Sequence, residues 1–465
     1  YDTPEQAVEA FRYLYDYGRN LELLQQIPPK VDRRLRFRRD AVAPLMETGL
    51  QRENGLLTEL EAKTVLEAYS IPVNPTRLAA SREEAERLAA EIGFPLAMKV
   101  SSSEVVHKSR AGGVRLQLDS RQAVSAAYDQ IATKITENVP EARIQGVTLQ
   151  PMCAPVDVEL LLGAKKDPHF GPVLLFGWGG VHAEALEDRG IALAPVNRML
   201  ARRLMEETRV FSVLAENSGT TPTDLAALEE ILVCLSQLVV DFPEIRELDI
   251  NPLAVVAGRP VAVDARIVVE AAQAPSPRHL AISPYPQQYE DPHVHTDGLD
   301  LCIRPIKPED SPLLQDLFAQ LSPTSIYHRF FAPLKTLPHN MLVRFTQIDY
   351  DREIALVAID RQDGREQMRG VGRIIGGPDG RRGEFAVLVA DAWQGKGIGA
   401  ALLVRVLRIM QARGMARVWG SALGENRQMA SLARKLGFSV RRDAGGEFEM
   451  TIELQAVELD AGRAS

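Results

Sequence analysis

The sequence predicts a mixed α/β (α+β) fold divided into more than one domain, and three observations carry that prediction. Near the C-terminus an apolar strand, Phe385-Ala386-Val387-Leu388-Val389, passes through a glycine turn into a helix with Leu402, Leu403, Val406 and Met410 on one face. Residues 50–272 alternate short apolar strands with helices. Between these regions Pro275, Pro277, Pro284, Pro286 and Pro292 punctuate the stretch 273–298, which reads as a linker. A chain of 465 residues is also too long for one core.

Composition narrows the function classes. With 45% hydrophobic and 25% charged residues the chain has the make-up of a soluble globular protein. A net charge of −8 argues against nucleic-acid binding, which wants a basic surface. No apolar run approaches the roughly eighteen residues that span a bilayer, so no membrane partner is expected. Cys153, Cys234 and Cys302 are far apart without a CxxC pair, which suits a reducing cytoplasm and suggests neither disulfides nor zinc.

In chain order, Thr3-Pro4-Glu5-Gln6 opens an N-capped helix through Phe11 and Leu14. The chain begins at Tyr1 without methionine, so residues 1–49 are expected to be the tail of a truncated domain. They end in a basic linker with Arg33, Arg34, Arg36, Arg38 and Arg39 facing solvent. Thr58-Glu59-Leu60-Glu61-Ala62 caps a helix to about Tyr69, and Ile71-Pro72-Val73 ends it and starts a strand. A helix over 80–92, closed by Gly93, precedes a buried strand, Pro95 to Val100. Lys99 in that strand needs a partner, because a buried unpaired ammonium is costly.

The following loop, Ser101 to Gly113, is polar, basic and glycine-tipped, and can fold over a triphosphate before the strand Val114 to Leu118. Strands are predicted over 146–152 and 157–163, with a glycine loop from Phe176 to Gly180. Alternation places Glu247, Asp249 and Asn251 on one face, answered by Asp264 from the next strand. Oxygen ligands there suit a magnesium ion that also touches phosphates, although Asp249 could equally be a buried, satisfied carboxylate. His293 and His295 alternate near the end of the linker but lack a third metal ligand. A strand then starts at Leu301, and Glu309-Asp310 leads into an amphipathic helix to Leu321. Strands near 354–359 and 370–375 follow.

The C-terminal turn, Gln394-Gly395-Lys396-Gly397-Ile398-Gly399, lets the backbone approach a ligand and aims unpaired helix N–H groups at it, a combination that binds phosphate. Gln394-x-x-Gly397-x-Gly399, the preceding strand, and Asn426 followed by Gly437-Phe438 together resemble the GNAT acetyltransferases. The resemblance implies a complete GNAT domain over 299–456 with acetyl-CoA as substrate. Gln394, Gly395, Lys396, Gly397, Ile398 and Gly399 would hold its pyrophosphate, Val387, Leu388 and Val389 its pantetheine arm and thioester, and Asn426 would face it. Glu384 resembles the general base of protein-acetylating members, and is otherwise a solvated strand end. Ala433 stands where many members carry the tyrosine that protonates the leaving thiolate.

Residues 50–272 resemble the ATP-grasp half of the NDP-forming acyl-CoA synthetases. The likeness rests on Met98-Lys99, His107-Lys108-Ser109, Gly112-Gly113, the Gly177 to Gly180 loop, Asn251-Pro252-Leu253 and Asp264-Ala265-Arg266. It implies that Lys99, Gly112 and Gly113 meet ATP or ADP phosphate, that Gln150 to Met152 border the adenine, and that Asn251 and Asp264 hold Mg2+. His107 matches a phosphoryl-relay histidine, or is a plain hydrogen-bonding residue. Pro151 stands where many relatives have an acidic residue.

A synthetase-like module ahead of a GNAT domain is similar to the bacterial Pat-type protein lysine acetyltransferases. Tyr327-His328-Arg329-Phe330-Phe331 and Ala430 to Phe438 add to that likeness. It implies that the chain acetylates a lysine of a partner enzyme, an AMP-forming acyl-CoA synthetase, with a regulatory or vestigial ATP-grasp module and the option of a homo-oligomer. Two other readings stay open: an ADP-forming acyl-CoA ligase piece with a GNAT appendage, and an acetyltransferase of small amines.

Overall fold

The computed structural model describes residues 3–24, 37–105, 108–153, 155–180, 188–216, 221–362 and 365–456. His107, Arg33, Arg34 and Arg36 lie outside the described residues. The chain forms two compact units, 32–282 and a second made of 283–465 with 1–31.

In the unit 32–282, a four-stranded sheet has the order β1-β4-β2-β3, from strands β1 (Arg77–Ala79), β2 (Leu96–Ser101), β3 (Val114–Leu118) and β4 (Gly146–Pro151). The helices Arg82–Ile92 and Arg121–Asn138 pack on it, burying Leu88, Met98, Val100, Ile131 and Ile135 in one core. Both start at serines whose hydroxyls accept from the helix N3 amide, Ser81 from Glu84 and Ser120 from Ala123. A second sheet runs β10-β8-β5-β6-β7 with β9 added on β8. Its strands are β5 (Val158–Asp167), β6 (Gly171–Trp178), β7 (Arg189–Leu193), β8 (Ile245–Val256), β9 (Arg259–Ala262) and β10 (Ala265–Val269). The helices Glu59–Ala68 and Leu225–Asp241 bury Leu66, Tyr69, Leu232 and Leu235 with this sheet.

Three expectations change here. Ile71 to Val73 form no strand; Val73 makes a single bridge to Ala262. The segment from Phe176 is strand as far as Trp178, not loop. Its glycines serve close sheet packing: a Cβ on Gly177 would lie 2.0 Å from the Asp188 carbonyl, and one on Gly179 2.3 Å from the Leu160 carbonyl carbon. The basic Arg39 is not a solvated linker residue only, since its guanidinium pairs with the buried Asp241 carboxylate.

The second unit is built on an eight-stranded sheet of order β11-β12-β13-β14-β15-β16-β18-β17. The strands are β11 (Asp291–Thr296), β12 (Leu299–Pro305), β13 (Glu353–Gln362), β14 (Arg365–Gly376), β15 (Arg382–Val389), β16 (Arg417–Ala422), β17 (Ser439–Arg442) and β18 (Phe448–Glu453). β11 lies inside the proline-rich stretch; Pro292 is tolerated because the strand is at the sheet edge, where a missing N–H costs no ladder bond. His293 and His295 sit on it, both against Asp300.

Neighbouring strands are antiparallel except β15 and β16, which are parallel and paired only over Arg382–Arg417, Gly383–Val418 and Glu384–Trp419. Beyond that rung they part. The helix Ile398–Ala412 covers one face, burying Leu402, Leu403, Val406 and Met410 against Ile354, Ile374, Phe385 and Val418. Helices Ser311–Ala319, Pro323–Phe330 and His339–Thr346 cover the other face, their core drawing on residues of β12 to β15. The helix Pro4–Leu24 groups with this unit and leaves Val8, Phe11 and Leu14 exposed.

Candidate functional site

The parting of β15 and β16 opens a cavity of about 730 Å³, lined by Phe385 to Val389 on one strand and by Ser421 and Ala422 on the other. The loop Trp393 to Gly397 and the first turn of the Ile398–Ala412 helix close one end. Gly395 and Gly397 both have φ +78°, the left-handed region that glycine enters without Cβ strain. The helix start carries no side-chain cap, so its N–H groups and positive dipole end stay available to an anion.

Side chains hold this loop in place. Gln394 Nε2 donates to Ser325 Oγ at 3.3 Å, Val389 O at 3.2 Å and Asp391 Oδ1 at 3.1 Å. Lys396 lies over the Trp393 ring, its Nζ 4.7 Å from the centroid, and its carbonyl accepts from Thr296 Oγ1. Gln394, Gly395, Lys396, Gly397, Gly399, Val387, Leu388, Val389 and Asn426 all line the cavity. Ile398 does not; its side chain is buried in the core. Asn426 spends its side-chain oxygen on the Met429 N–H, capping the helix Arg427–Lys435. Ala433 is buried in the core and offers no proton donor.

Glu384 is exposed on the last paired rung of β15 and lines the same cavity. Arg329, from the end of the helix Pro323–Phe330, lines it too. Burial pulls the Arg329 pKa down, opposed by the charges of Glu384 and Glu353. Nothing in local sequence pattern marks Arg329 as a neighbour of Glu384; the helix over the sheet brings them together.

In the other unit, Lys99 has the partner its burial demands. Its ammonium is 2.8 Å from Glu59 Oε1 and 3.4 Å from Asp264 Oδ2. Glu59 also receives Lys108 at 2.7 Å and Lys63 at 3.3 Å, so three lysines converge on one buried carboxylate. Burial would raise the Glu59 pKa, but Lys99, Lys108 and Lys63 outweigh it and hold the group at about 2. Burial brings Lys63 down to about 8 against the pull of Glu59. Lys63 Nζ also donates to Gln150 Oε1 at 2.6 Å, so the Gln150 side chain is engaged in this cluster.

Glu59 and Lys63 were not legible as site residues. They are one turn apart on an ordinary-looking capped helix, and only the packing of that helix shows their burial. The loop amides of Gly112 and Gly113 donate internally, to the carbonyls of Ser109 and Lys108, and Gly113 sits so close to Val100 that a Cβ would lie 2.6 Å away. The Met152 amide likewise donates to the Pro95 carbonyl. Asp264 stands one step beyond the Ala265–Ile250 pair, across from Asn251, whose Oδ1 accepts the Gly180 N–H at 2.8 Å. Asp249 lies 3.6 Å from Arg266, and burial raises its pKa. Among the described residues no group of three His, Cys, Asp or Glu side chains could hold a metal ion.

Residues 48–269 match the ATP-grasp domain model, and residues 300–439 match the acetyltransferase (GNAT) domain model. The β subunit of acetate–CoA ligase (ADP-forming) I from Pyrococcus furiosus is 36% identical over 217 residues, 47% of this chain and 93% of that protein. The chain belongs, over this region, to the ATP-grasp family of those ligase subunits. An acetyltransferase of Pseudomonas aeruginosa is 30% identical over 147 residues, 32% of this chain and 79% of that protein. The acetate–CoA ligase (ADP-forming) I of Archaeoglobus fulgidus is 35% identical over 264 residues, 56% of this chain, and this chain spans only 38% of its length. An ATP-grasp region is thus followed by a GNAT domain, and the cavity between β15 and β16 lies within the latter.

Proposed function

We propose that the chain is a protein lysine N-acetyltransferase, taking acetyl from acetyl-CoA, with the ATP-grasp unit as a nucleotide-sensing or vestigial regulator. The observation that carries the reading is Glu384 on the last rung before β15 and β16 separate, in one cavity with the uncapped, glycine-led helix start. That geometry offers an anion site at one end and a carboxylate at the other, with an exposed strand edge between.

Lysine is almost wholly protonated near neutral pH, its ordinary pKa being about 10.4. Glu384 takes the proton from the acceptor amine, directly or through one water. The neutral amine attacks the thioester carbonyl, and a β15 amide near Leu388 or Val389 stabilises the oxyanion. The C–S bond then breaks and CoA leaves as a thiolate that takes up the second proton of the amine, so the products are the neutral amide and CoA thiol; this group is acidic enough to depart without the tyrosine that Ala433 replaces.

Incubation with labelled acetyl-CoA and a purified AMP-forming acetyl-CoA synthetase, followed by mapping of acetyl-lysine, tests this. Label on that enzyme's active-site lysine, lost in Glu384→Gln, supports it; no label with active controls removes that partner from the reading.

A second reading, a working ADP-forming ligase part, draws on the 36% identity to the ligase β subunit. Lys99 would meet nucleotide phosphate by exchanging Glu59 or Asp264 for it. Asn251 and Asp264 offer two side-chain oxygens, a number Mg2+ accepts when phosphates and water complete its shell. Release of ATP from ADP, phosphate and acetyl-CoA, measured with the chain alone and with a ligase α subunit, decides between a working and a vestigial module.

A further inference from the structure

Strand β16 alternates strictly: Val418, Gly420 and Ala422 are buried while Arg417, Trp419 and Ser421 are exposed. Its orientation is fixed by Gly420, where a Cβ would lie 2.6 Å from the Phe385 ring, so Gly420 and Phe385 share the face packed under the Ile398–Ala412 helix. Glu384 and Trp419, each one residue away, therefore point together to the opposite face, as partners on one rung. Paired strands lie about 4.8 Å apart, so the carboxylate and the indole are side-by-side neighbours.

Trp419 is 40% exposed in the middle of a strand. The other tryptophans are packed: Trp178 against the core of its unit, and Trp393 against the cores on β15's two faces, with Arg369 and Lys396 over its ring. The core under the three helices on Trp419's face draws on β12 to β15 and includes no residue of β16, β17 or β18. On the other side of Trp419 the paired residue is Thr451, a short side chain. A large aromatic face is thus left open beside the carboxylate that lines the cavity.

Resting on the acetyl-transfer reading above, we propose that Trp419 is the acceptor-binding residue, its indole face meeting the ammonium end of the incoming lysine. The chemistry names the occupant. A carboxylate next to an open indole face attracts a cation on an apolar stem, and tryptophan is the strongest aromatic partner of an ammonium. The opposite face of the sheet is filled by the helix core, so the amine reaches Glu384 from Trp419's side.

The test uses the full chain labelled with 15N at tryptophan, whose three indole N–H signals are assigned with Trp419→Phe. Titration with Nα-acetyl-lysine methylamide is expected to move the Trp419 signal and leave Trp178 and Trp393 in place, while the norleucine analogue moves it far less. With the synthetase as acceptor, Trp419→Ala is expected to raise acceptor KM about three- to thirtyfold, the range of one cation–π contact. kcat should hold within about twofold and acetyl-CoA affinity should not change, since only uniform acceptor binding is removed. Trp419→Phe should recover most of the loss. An indole signal that ignores the lysine probe, or an unchanged acceptor KM in Trp419→Ala, overturns the assignment. A signal that responds to lysine in a protein that transfers no acetyl group leaves the assignment standing and overturns the acetyl-transfer reading instead.

Discussion

Two carboxylates organise the two units, and they work in opposite ways. Glu384 is exposed and lines a cavity, where the proposed acetyl transfer makes it the general base. Glu384→Gln should therefore lower acetyl transfer by about 10²- to 10⁴-fold, the usual worth of a positioned general base, with acetyl-CoA affinity unchanged by calorimetry. Glu59 is buried under three lysines and is structural in this state. Glu59→Gln leaves Lys63 and Lys108 without the carboxylate they share and Lys99 with Asp264 alone, and should cost about 3–5 kcal/mol in urea unfolding of the 32–282 unit. Because the folded pKa of Glu59 is depressed to about 2 from 4.5, its contribution is present above pH 4.5 and lost as pH falls toward 2. Lys63 acts in a different window. With its folded pKa lowered to about 8 from 10.5, stability should rise as pH climbs between those values. Thermal melts across both ranges check the two signs.

The turn between β15 and its following helix is the element on which the proposed acetyl-CoA site rests. Gly397 takes φ +78° immediately before a helix that has no side-chain cap. Gly397→Ala forces a Cβ into the left-handed region at about 1–2 kcal/mol. The loop should relax, and acetyl-CoA should bind more weakly while Glu384 and its strand stay in place. Calorimetric titration with acetyl-CoA, set beside an unchanged far-ultraviolet spectrum, reads that outcome. The preceding strand contributes through what it does not pair with: β16 follows it for three residues only, and the parting exposes the strand edge to the cavity.

Over the whole molecule, two units with separate cores each carry one candidate ligand site. A ligand stabilises the unit that binds it, by about 2.7 kcal/mol at a concentration a hundredfold above its Kd. Scanning calorimetry should then show acetyl-CoA raising the transition of the GNAT unit and ATP or ADP raising that of the ATP-grasp unit. If ADP moves neither transition, the ATP-grasp unit is vestigial.

Much of this was written in local pattern. The strands Val114–Leu118 and Gly146–Pro151, the capped helix after Thr58 and the glycine turn at 394–399 follow from period, caps and backbone chemistry over a few residues. So did the need of Lys99 for a partner, because a buried ammonium is costly wherever it lies. The identity of that partner was not legible. Glu59 is 40 residues away in the chain, and only the packing of its helix brings its carboxylate beneath Lys99. The same holds for the Arg329 charge beside Glu384, for the edge strand hidden in the proline-rich stretch, and for the glycines at 177 and 179 that read as a loop but serve strand packing. Local physics sets which elements form and where backbone can meet phosphate. Which charges neutralise one another, and that a tryptophan stands open beside the proposed base, depend on contacts between distant segments that only the folded sheet creates.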